Sequence, residues 1–149
     1  MGRIVVGVDG SEGSKTALAW ALDEARLRNA TLDVVCSYTL PSGWFGVGDS
    51  MGVVVATTIT EDDVASYAKE TLTNALAAVD DHGVEVTKTA VAGHPAASLV
   101  GAAESADLLV VGSRGHGEFG SVLLGSVSLH CVHHAPCPVV VIRLPSAEK

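Results

Sequence analysis

Apolar runs alternate with helical patterns in the first part of the chain. Ile4–Val8 is a continuous apolar run that ends at Asp9, which is typical of a strand buried on both faces of a parallel sheet. From Ser11, a residue type common at helix N-caps, the spacing changes to that of one helical face. The apolar positions of this face are Ala17, Leu18, Ala21, Leu22 and Ala25. A second strand is predicted at Thr31–Tyr38.

The middle of the chain contains a loop and a second helix. Residues 41–58 are rich in Gly and small apolar residues and have no clear period, so we predict a loop, with Trp44 and Phe45 near its start. Thr60 is the predicted N-cap of the helix that follows, because three acidic residues occupy its first turn. Gly83 is predicted to end this helix. Its buried face is predicted at Val64, Ala68, Leu72, Leu76 and Val79.

The alternation continues to the end of the chain and predicts the fold class. Strands are predicted at Val84–Val91, Asp107–Val111 and Pro138–Arg143. One helix is predicted from Pro95 to Ser105. Another is predicted after residues 112–120, and it should end before Pro136. The result is an α/β fold, a single domain over residues 1–149, with a doubly wound five-stranded parallel sheet, strand order 3-2-1-4-5 and helices on both faces. Such sheets bind small ligands where the winding reverses, here between strands one and four.

Composition narrows the classes of function. Of the 149 residues, 48% are hydrophobic and only 4% aromatic, which excludes a disordered chain and predicts a core of aliphatic residues. The net charge of −8 and the lack of any basic cluster predict no nucleic-acid partner. The odd number of cysteines and the absence of a secretory signal predict a cytoplasmic protein. The uncharged stretch 119–142 contains three His and two Pro, which argues against a membrane span.

Glycines are unusually dense in residues 112–125, which we call the glycine-rich segment and which follow the fourth strand. In the predicted sheet, Asp9 faces Gly112–Gly115 across one crevice. Glycine lets backbone N–H groups approach an anion closely, and the hydroxyls of Ser126 and Ser128 are expected to donate to phosphate oxygens. A G-x-G-x-x-G match at 115–120 lacks the acidic partner of dinucleotide sites, and a Walker-like match at 120–126 lacks its lysine.

A third match extends over nearly the whole chain. Gly112-x-x-Gly115, nine residues and then Gly125-Ser126 resemble the ATP-binding signature of the universal stress protein family, G-x-x-G, nine residues, G-[S/T]. The resemblance includes VGVDGS at 6–11, ADLLVVGSRG at 106–115 and HAPCPVVV at 134–141.

This resemblance implies a nucleotide site, a divalent ion and an assembly. It implies that the chain binds ATP, with Mg²⁺ bridging the phosphates, and forms a homodimer through strand five. It also implies a nucleotide-dependent switch in the stress response, to which an unknown regulatory protein responds. The site residues that it implies are Gly7, Val8, Asp9, Val35, Val111, Gly112, Arg114, Gly115, Gly125, Ser126, Val127 and Ser128. Val35 is expected to present backbone atoms to adenine, and Gly7 departs from the proline of some relatives.

Other interpretations remain open at this point. Asp9 is also a common turn or cap residue, and the glycines also suit tight packing. Five residues have donor types that suit zinc, namely His130, Cys131, His133, His134 and Cys137. They lack a paired Cys-x-x-Cys, so we predict no metal site in the protein itself. No catalytic residues are predicted, and at most slow ATP hydrolysis is expected. The alternatives are a nucleotide hydrolase or adenylate-transfer enzyme on this fold, and a nucleotide-free dimeric interaction module.

Overall fold

The structure, a computed structural model, describes residues 2–39, 60–114 and 124–144. The elements are β1 (Arg3–Gly7), α1 (Glu12–Arg28), β2 (Thr31–Tyr38), α2 (Glu61–Ala77), β3 (Val86–Ala92), α3 (Pro95–Ala102), a 3₁₀ turn (Ala103–Ser105), β4 (Leu108–Gly112), α4 (Ser126–His134) and β5 (Val139–Ile142). The predicted strands are all present, with ends that differ by up to two residues. The loop predicted at 41–58, including Trp44 and Phe45, lies outside the described residues.

The five strands form one parallel sheet in the order β3-β2-β1-β4-β5, which confirms the predicted topology. β1 lies at the centre, where Val5 is opposite Asp33 of β2 and Leu109 of β4. Winding therefore reverses between β1 and β4, and their carboxyl ends diverge into a crevice.

Each face of the sheet has its own apolar core. On one face, α1 and α2 cover a cluster that includes Ile4, Val6 and Leu72. On the other face, α3 and α4 cover a smaller cluster that includes Val5 and Leu109. Strands buried on both faces explain the continuous apolar runs in the sequence.

Local side-chain chemistry fixes where the longer helices begin. The Ser11 hydroxyl accepts a hydrogen bond from the Ser14 N–H group (3.2 Å) and caps α1 as predicted. Thr60 and Asp63 cap α2 reciprocally, with bonds of 3.1 and 3.0 Å between each side chain and the other residue's N–H group. Pro95 occupies the first turn of α3, as predicted.

The predicted end of α2 at Gly83 is wrong. The helix ends at Ala77, because the chain turns earlier. The carboxylates of Asp80 and Asp81 accept hydrogen bonds from the N–H groups of His82 (2.9 Å) and Gly83 (3.0 Å). Such Asx turns compete with helix continuation, and Gly83, with φ +78°, serves the turn into β3 instead.

Within residues 2–39, 60–114 and 124–144, no helix combines the length and the apolar character that crossing a membrane requires.

Candidate nucleotide site

A cavity of about 310 Å³ lies beyond the carboxyl ends of β1 and β4. This volume is at the lower end of the range of small-molecule sites. Eleven of the twelve predicted site residues line it, and the twelfth, Gly115, lies outside the described residues. The eleven are Gly7, Val8, Asp9, Val35, Val111, Gly112, Arg114, Gly125, Ser126, Val127 and Ser128. The topology therefore brings together two segments that are far apart in the sequence.

Asp9 lies in a tight turn at one side of this cavity. Its Oδ1 atom accepts a hydrogen bond from the Ser11 N–H group (2.9 Å), and its own N–H group donates to Ser14 Oγ (3.2 Å). Gly10 has φ +87°, which the turn requires. Asp9 thus has the turn role that was one of its two interpretations, and its exposed carboxylate also borders the cavity.

Two glycines bring the start of α1 against the segment that follows β4. A Cβ atom on Gly13 would lie 2.6 Å from the Arg114 carbonyl oxygen, and one on Gly112 would lie 2.9 Å from the Gly13 carbonyl oxygen. Neither position has room for a side chain. Sequence reasoning missed Gly13, although a glycine in the first turn of a helix is a signal for such a contact.

The two described ends of the glycine-rich segment are joined by hydrogen bonds at Ser113. Its N–H group donates to the Ile142 carbonyl oxygen (2.8 Å), and its own carbonyl oxygen accepts from the Gly125 N–H group (2.6 Å). The Ser128 hydroxyl donates to the carbonyl oxygens of Ser113 (3.0 Å) and Gly125 (3.1 Å). The hydroxyl that the sequence predicts as a donor to phosphate is thus directed at backbone carbonyls in this structure.

Three helices begin at the cavity. Ser11 at the start of α1, Pro95 at the start of α3 and Ser126 at the start of α4 all line it. The first N–H groups of a helix have no partner within the helix, and the helix dipole places partial positive charge there. In the part of the chain that the structure describes, no side chain caps α4, whose N-cap is Gly125. This wall of the cavity favours an anion despite the net charge of −8.

The opposite part of the lining is apolar. Val35 and Leu99 are buried beneath it, and a Cβ atom on Gly7 would lie 2.7 Å from Leu99 Cδ1, so a larger residue at Gly7 would displace that side chain. The Val35 carbonyl oxygen accepts from the Val8 N–H group (2.9 Å), so this backbone atom already has a partner in the sheet. Ser37, two residues further on the same face of β2, lines the cavity closer to the strand end.

Several lining residues were not predicted as part of the site. They are Ser11, Ser14, Ser37, Pro95, Leu99 and Ser113. The sequence contains a signal for some of them, since Ser11 and Pro95 are helix-start residues that follow strands, and helix starts in this fold face the crevice.

In the part of the chain that the structure describes, no histidine or cysteine belongs to this lining. The His130 and His134 rings stack with centroids 4.3 Å apart on α4. Among the described residues, no group of three or more His, Cys, Asp or Glu side chains is arranged to hold a metal ion. Burial, together with the negative charge of Asp9, raises the pKa of the Cys36 thiol to about 11, and burial alone raises that of Cys131 to about 11. Burial and Asp107 also raise the pKa of Cys137. The raised pKa values make these thiols less reactive as nucleophiles near neutral pH than an exposed cysteine.

Comparison with known proteins gives consistent results. The model of the universal stress protein family matches residues 1–143. Universal stress protein Rv2623 of Mycobacterium tuberculosis (strain ATCC 25618 / H37Rv) is 37% identical over 142 residues, which cover 94% of this chain and 44% of that protein. The chain spans about half the length of the curated relatives that it matches.

Solved structures extend the likeness to proteins with bound nucleotides. A universal stress protein in complex with cAMP is 26% identical, with a TM-score of 0.70 over 95% of this chain and 96% of that one. A universal stress protein from Archaeoglobus fulgidus in complex with dAMP is 27% identical, with a TM-score of 0.67 over 95% of this chain and 98% of that one.

Proposed function

The chain belongs to the universal stress protein family, and from that premise we propose that it binds ATP with Mg²⁺ in the cavity between β1 and β4 and acts as a nucleotide-dependent switch in the stress response. One observation carries the proposal. The uncapped start of α4 and the apolar wall around Leu99 face the same cavity, so one site has donors for a phosphate and a surface for a base. The solved relatives with bound cAMP and dAMP support the adenine class.

The residues fit the parts of such a ligand. The N–H groups at Ser126 and Val127 are the proposed donors to phosphate, and the exposed Ser126 hydroxyl is a further one. Asp9 is the proposed acceptor for ribose hydroxyls, since its carboxylate is fixed at the cavity by the Ser11 N–H group. Mg²⁺, when bound, neutralises part of the triphosphate charge and is held largely by phosphate oxygens and water. Gly115 remains a proposed contact on the strength of the signature alone.

The proposal is tested by placing a negative charge where the phosphate is expected. Ser126→Asp puts a carboxylate at the exposed first residue of α4, where the helix dipole favours it, so the nucleotide-free protein should lose no stability. Ser126→Asn is the matched neutral control, because its side-chain amide replaces the hydroxyl with another hydrogen-bond donor. We expect ATP and Mg²⁺ at about 100 times the dissociation constant to raise the Tm of the wild type and the control by roughly 5–10 °C. The rise should be largely lost in Ser126→Asp, and equal rises in all three proteins would refute the phosphate assignment.

A homodimer through β5 is also proposed. β5 is the last strand of the sheet, and the Pro138 and Ile142 carbonyl groups are directed at β4. Along a strand, the N–H and C=O groups of successive residues point alternately to the two sides. The N–H and C=O groups of Val139 and Val141 are therefore directed at the open edge of the sheet. Light scattering at micromolar concentration should give the dimer mass, and Val141→Pro, which removes an edge N–H group, should give a folded monomer. A monomeric wild type would refute the dimer.

The switch is proposed to act in the cytoplasm on a regulatory protein. Three free cysteines, of which Cys36 and Cys131 are buried, support a reducing compartment. Fractionation of cells followed by detection of the chain tests the location, and recovery in a secreted fraction would refute it.

A further inference from the structure

Ser128 is a buried polar residue at the third position of α4. It is only 2% exposed, and its hydroxyl donates to the carbonyl oxygens of Ser113 and Gly125. Gly125 is the N-cap of α4 and Ser113 follows β4, so one hydroxyl contacts both described ends of the glycine-rich segment.

The direction of these hydrogen bonds is the reverse of ordinary helix capping. An N-cap side chain normally accepts a hydrogen bond from an N–H group of the first turn and so removes that donor. α1 has this arrangement, since Ser11 Oγ accepts from the Ser14 N–H group at the same cavity, and in addition the Ser14 hydroxyl donates to the N-cap carbonyl oxygen of Ser11 (3.0 Å). α4 has only the second of these bonds: the Ser128 hydroxyl donates to the carbonyl oxygen of the N-cap, Gly125, which has no side chain to accept from an N–H group. The start of α4 is therefore fixed without using an N–H group of its first turn.

We infer that Ser128 is a positioning residue for phosphate recognition and not a phosphate ligand. It orients the first turn of α4 by its bonds to two carbonyl groups, and it leaves the N–H groups of that turn for the phosphate. The inference rests on the proposed function, because it assigns a role within the same site. It also changes the role that the sequence resemblance implies for this residue.

The first test uses the nucleotide-free protein. Ser128→Ala removes the hydroxyl, and we expect faster hydrogen exchange at the two amides that close the same junction. These are the Gly125 N–H group, bonded to Ser113, and the Leu129 N–H group, bonded to Gly125. The matched control is Thr71→Ala, which removes a hydroxyl that donates to the Tyr67 carbonyl oxygen (2.9 Å) in α2, away from the cavity. Unchanged exchange at Gly125 and Leu129 in Ser128→Ala would overturn the positioning role.

The second test measures the gain in affinity that a phosphate provides, as the ratio of the AMP affinity to the adenosine affinity. In Ser128→Ala this ratio should fall roughly tenfold, the effect of weakening a hydrogen bond to a charged group, while adenosine affinity stays unchanged. Thr71→Ala should keep both affinities. A ratio that stays at the wild-type value would overturn the inference.

Failure of the inference is distinguishable from failure of the proposed function. A wild type that binds neither AMP nor adenosine refutes the proposed function, while the exchange test still decides whether Ser128 fixes the start of α4. Should Ser128→Ala not fold, Ser128→Cys keeps a similar volume with a much weaker donor and is used for the same two comparisons.

Discussion

The contact between Gly13 and Arg114 gives a sharp test, because the same substitution should have opposite effects at two helical glycines. Gly13 lies in the first turn of α1, whereas Gly101 lies near the end of α3, where an added methyl group would meet nothing within 4 Å. Replacing a helical glycine by alanine stabilises a protein by roughly 0.5–1 kcal/mol where the backbone and the space allow it. Gly101→Ala should show this gain.

The magnitude at Gly13 follows from the distance. Its Cβ atom would lie 2.6 Å from the Arg114 carbonyl oxygen, whereas carbon and oxygen atoms in contact are usually about 3.3–3.6 Å apart. The oxygen belongs to the backbone, so α1 or the segment after β4 must move by nearly an ångström. Overpacking of this kind costs about 1–3 kcal/mol. After the helical gain is subtracted, Gly13→Ala should lower the free energy of unfolding by about 0.5–2 kcal/mol.

Urea and thermal unfolding followed by circular dichroism check both variants against the wild type. For a domain of this size we expect a decrease in Tm of roughly 1–8 °C for Gly13→Ala and an increase for Gly101→Ala. Gly112→Ala tests the other side of the contact, and its effect should not add fully to that of Gly13→Ala, since both disturb one contact. If Gly13→Ala stabilises the protein as Gly101→Ala does, the reasoning from close approach is refuted.

Three further predictions concern other parts of the fold. Thr60→Ala should cost about 1 kcal/mol in urea unfolding, because it removes the cap of α2, and a change below experimental error would contradict the capping role. Asp33→Ala should lower the free energy of unfolding by about 1–2 kcal/mol, because the carboxylate accepts hydrogen bonds from the Arg3 guanidinium (2.9 Å) and the Thr89 hydroxyl (2.8 Å). If the effects of Asp33→Ala and Arg3→Ala on this free energy add fully, the contact between the two side chains is contradicted. In the folded protein the Cys36 and Cys131 thiols stay protonated to a higher pH than in the unfolded chain, because their pKa values are raised from 9.0 to about 11. The stability that this contributes is therefore complete below pH 9.0 and is lost as pH rises through about 11. Replacing either thiol by Ala should make that alkaline decrease shallower in a urea series, and an unchanged slope would contradict the assignment.

Topology and helix starts were predictable because their causes are local in the sequence. Buried parallel strands require continuous apolar runs such as Ile4–Val8, and caps such as Ser11 and Thr60 act on N–H groups three residues away. The end of α2 depended on Asp80 and Asp81, whose Asx turns compete with a helix that the apolar spacing alone would extend.

The interior of the site was less predictable because its causes are long-range. The family resemblance implied Ser128 as part of the site but not the direction of its hydroxyl, which depends on how close the Ser113 carbonyl oxygen comes after folding. Gly13 is required only because Arg114 approaches it from a distant part of the chain. A single sequence contains no record of such approach distances, so these roles appear only in three dimensions.

The central position of β1 has a consequence for how the chain folds. β1 pairs with β2, which follows it after a single helix, but its other neighbour, β4, follows only after α2, β3 and α3. Closing so long a loop costs more entropy than closing a short one and slows folding. During folding, β1 is thus paired on one side only at first. The crevice between β1 and β4 exists only after the later pairing of these two strands. A small molecule that binds there stabilises the finished protein against unfolding, and it should leave the early steps of folding unaffected.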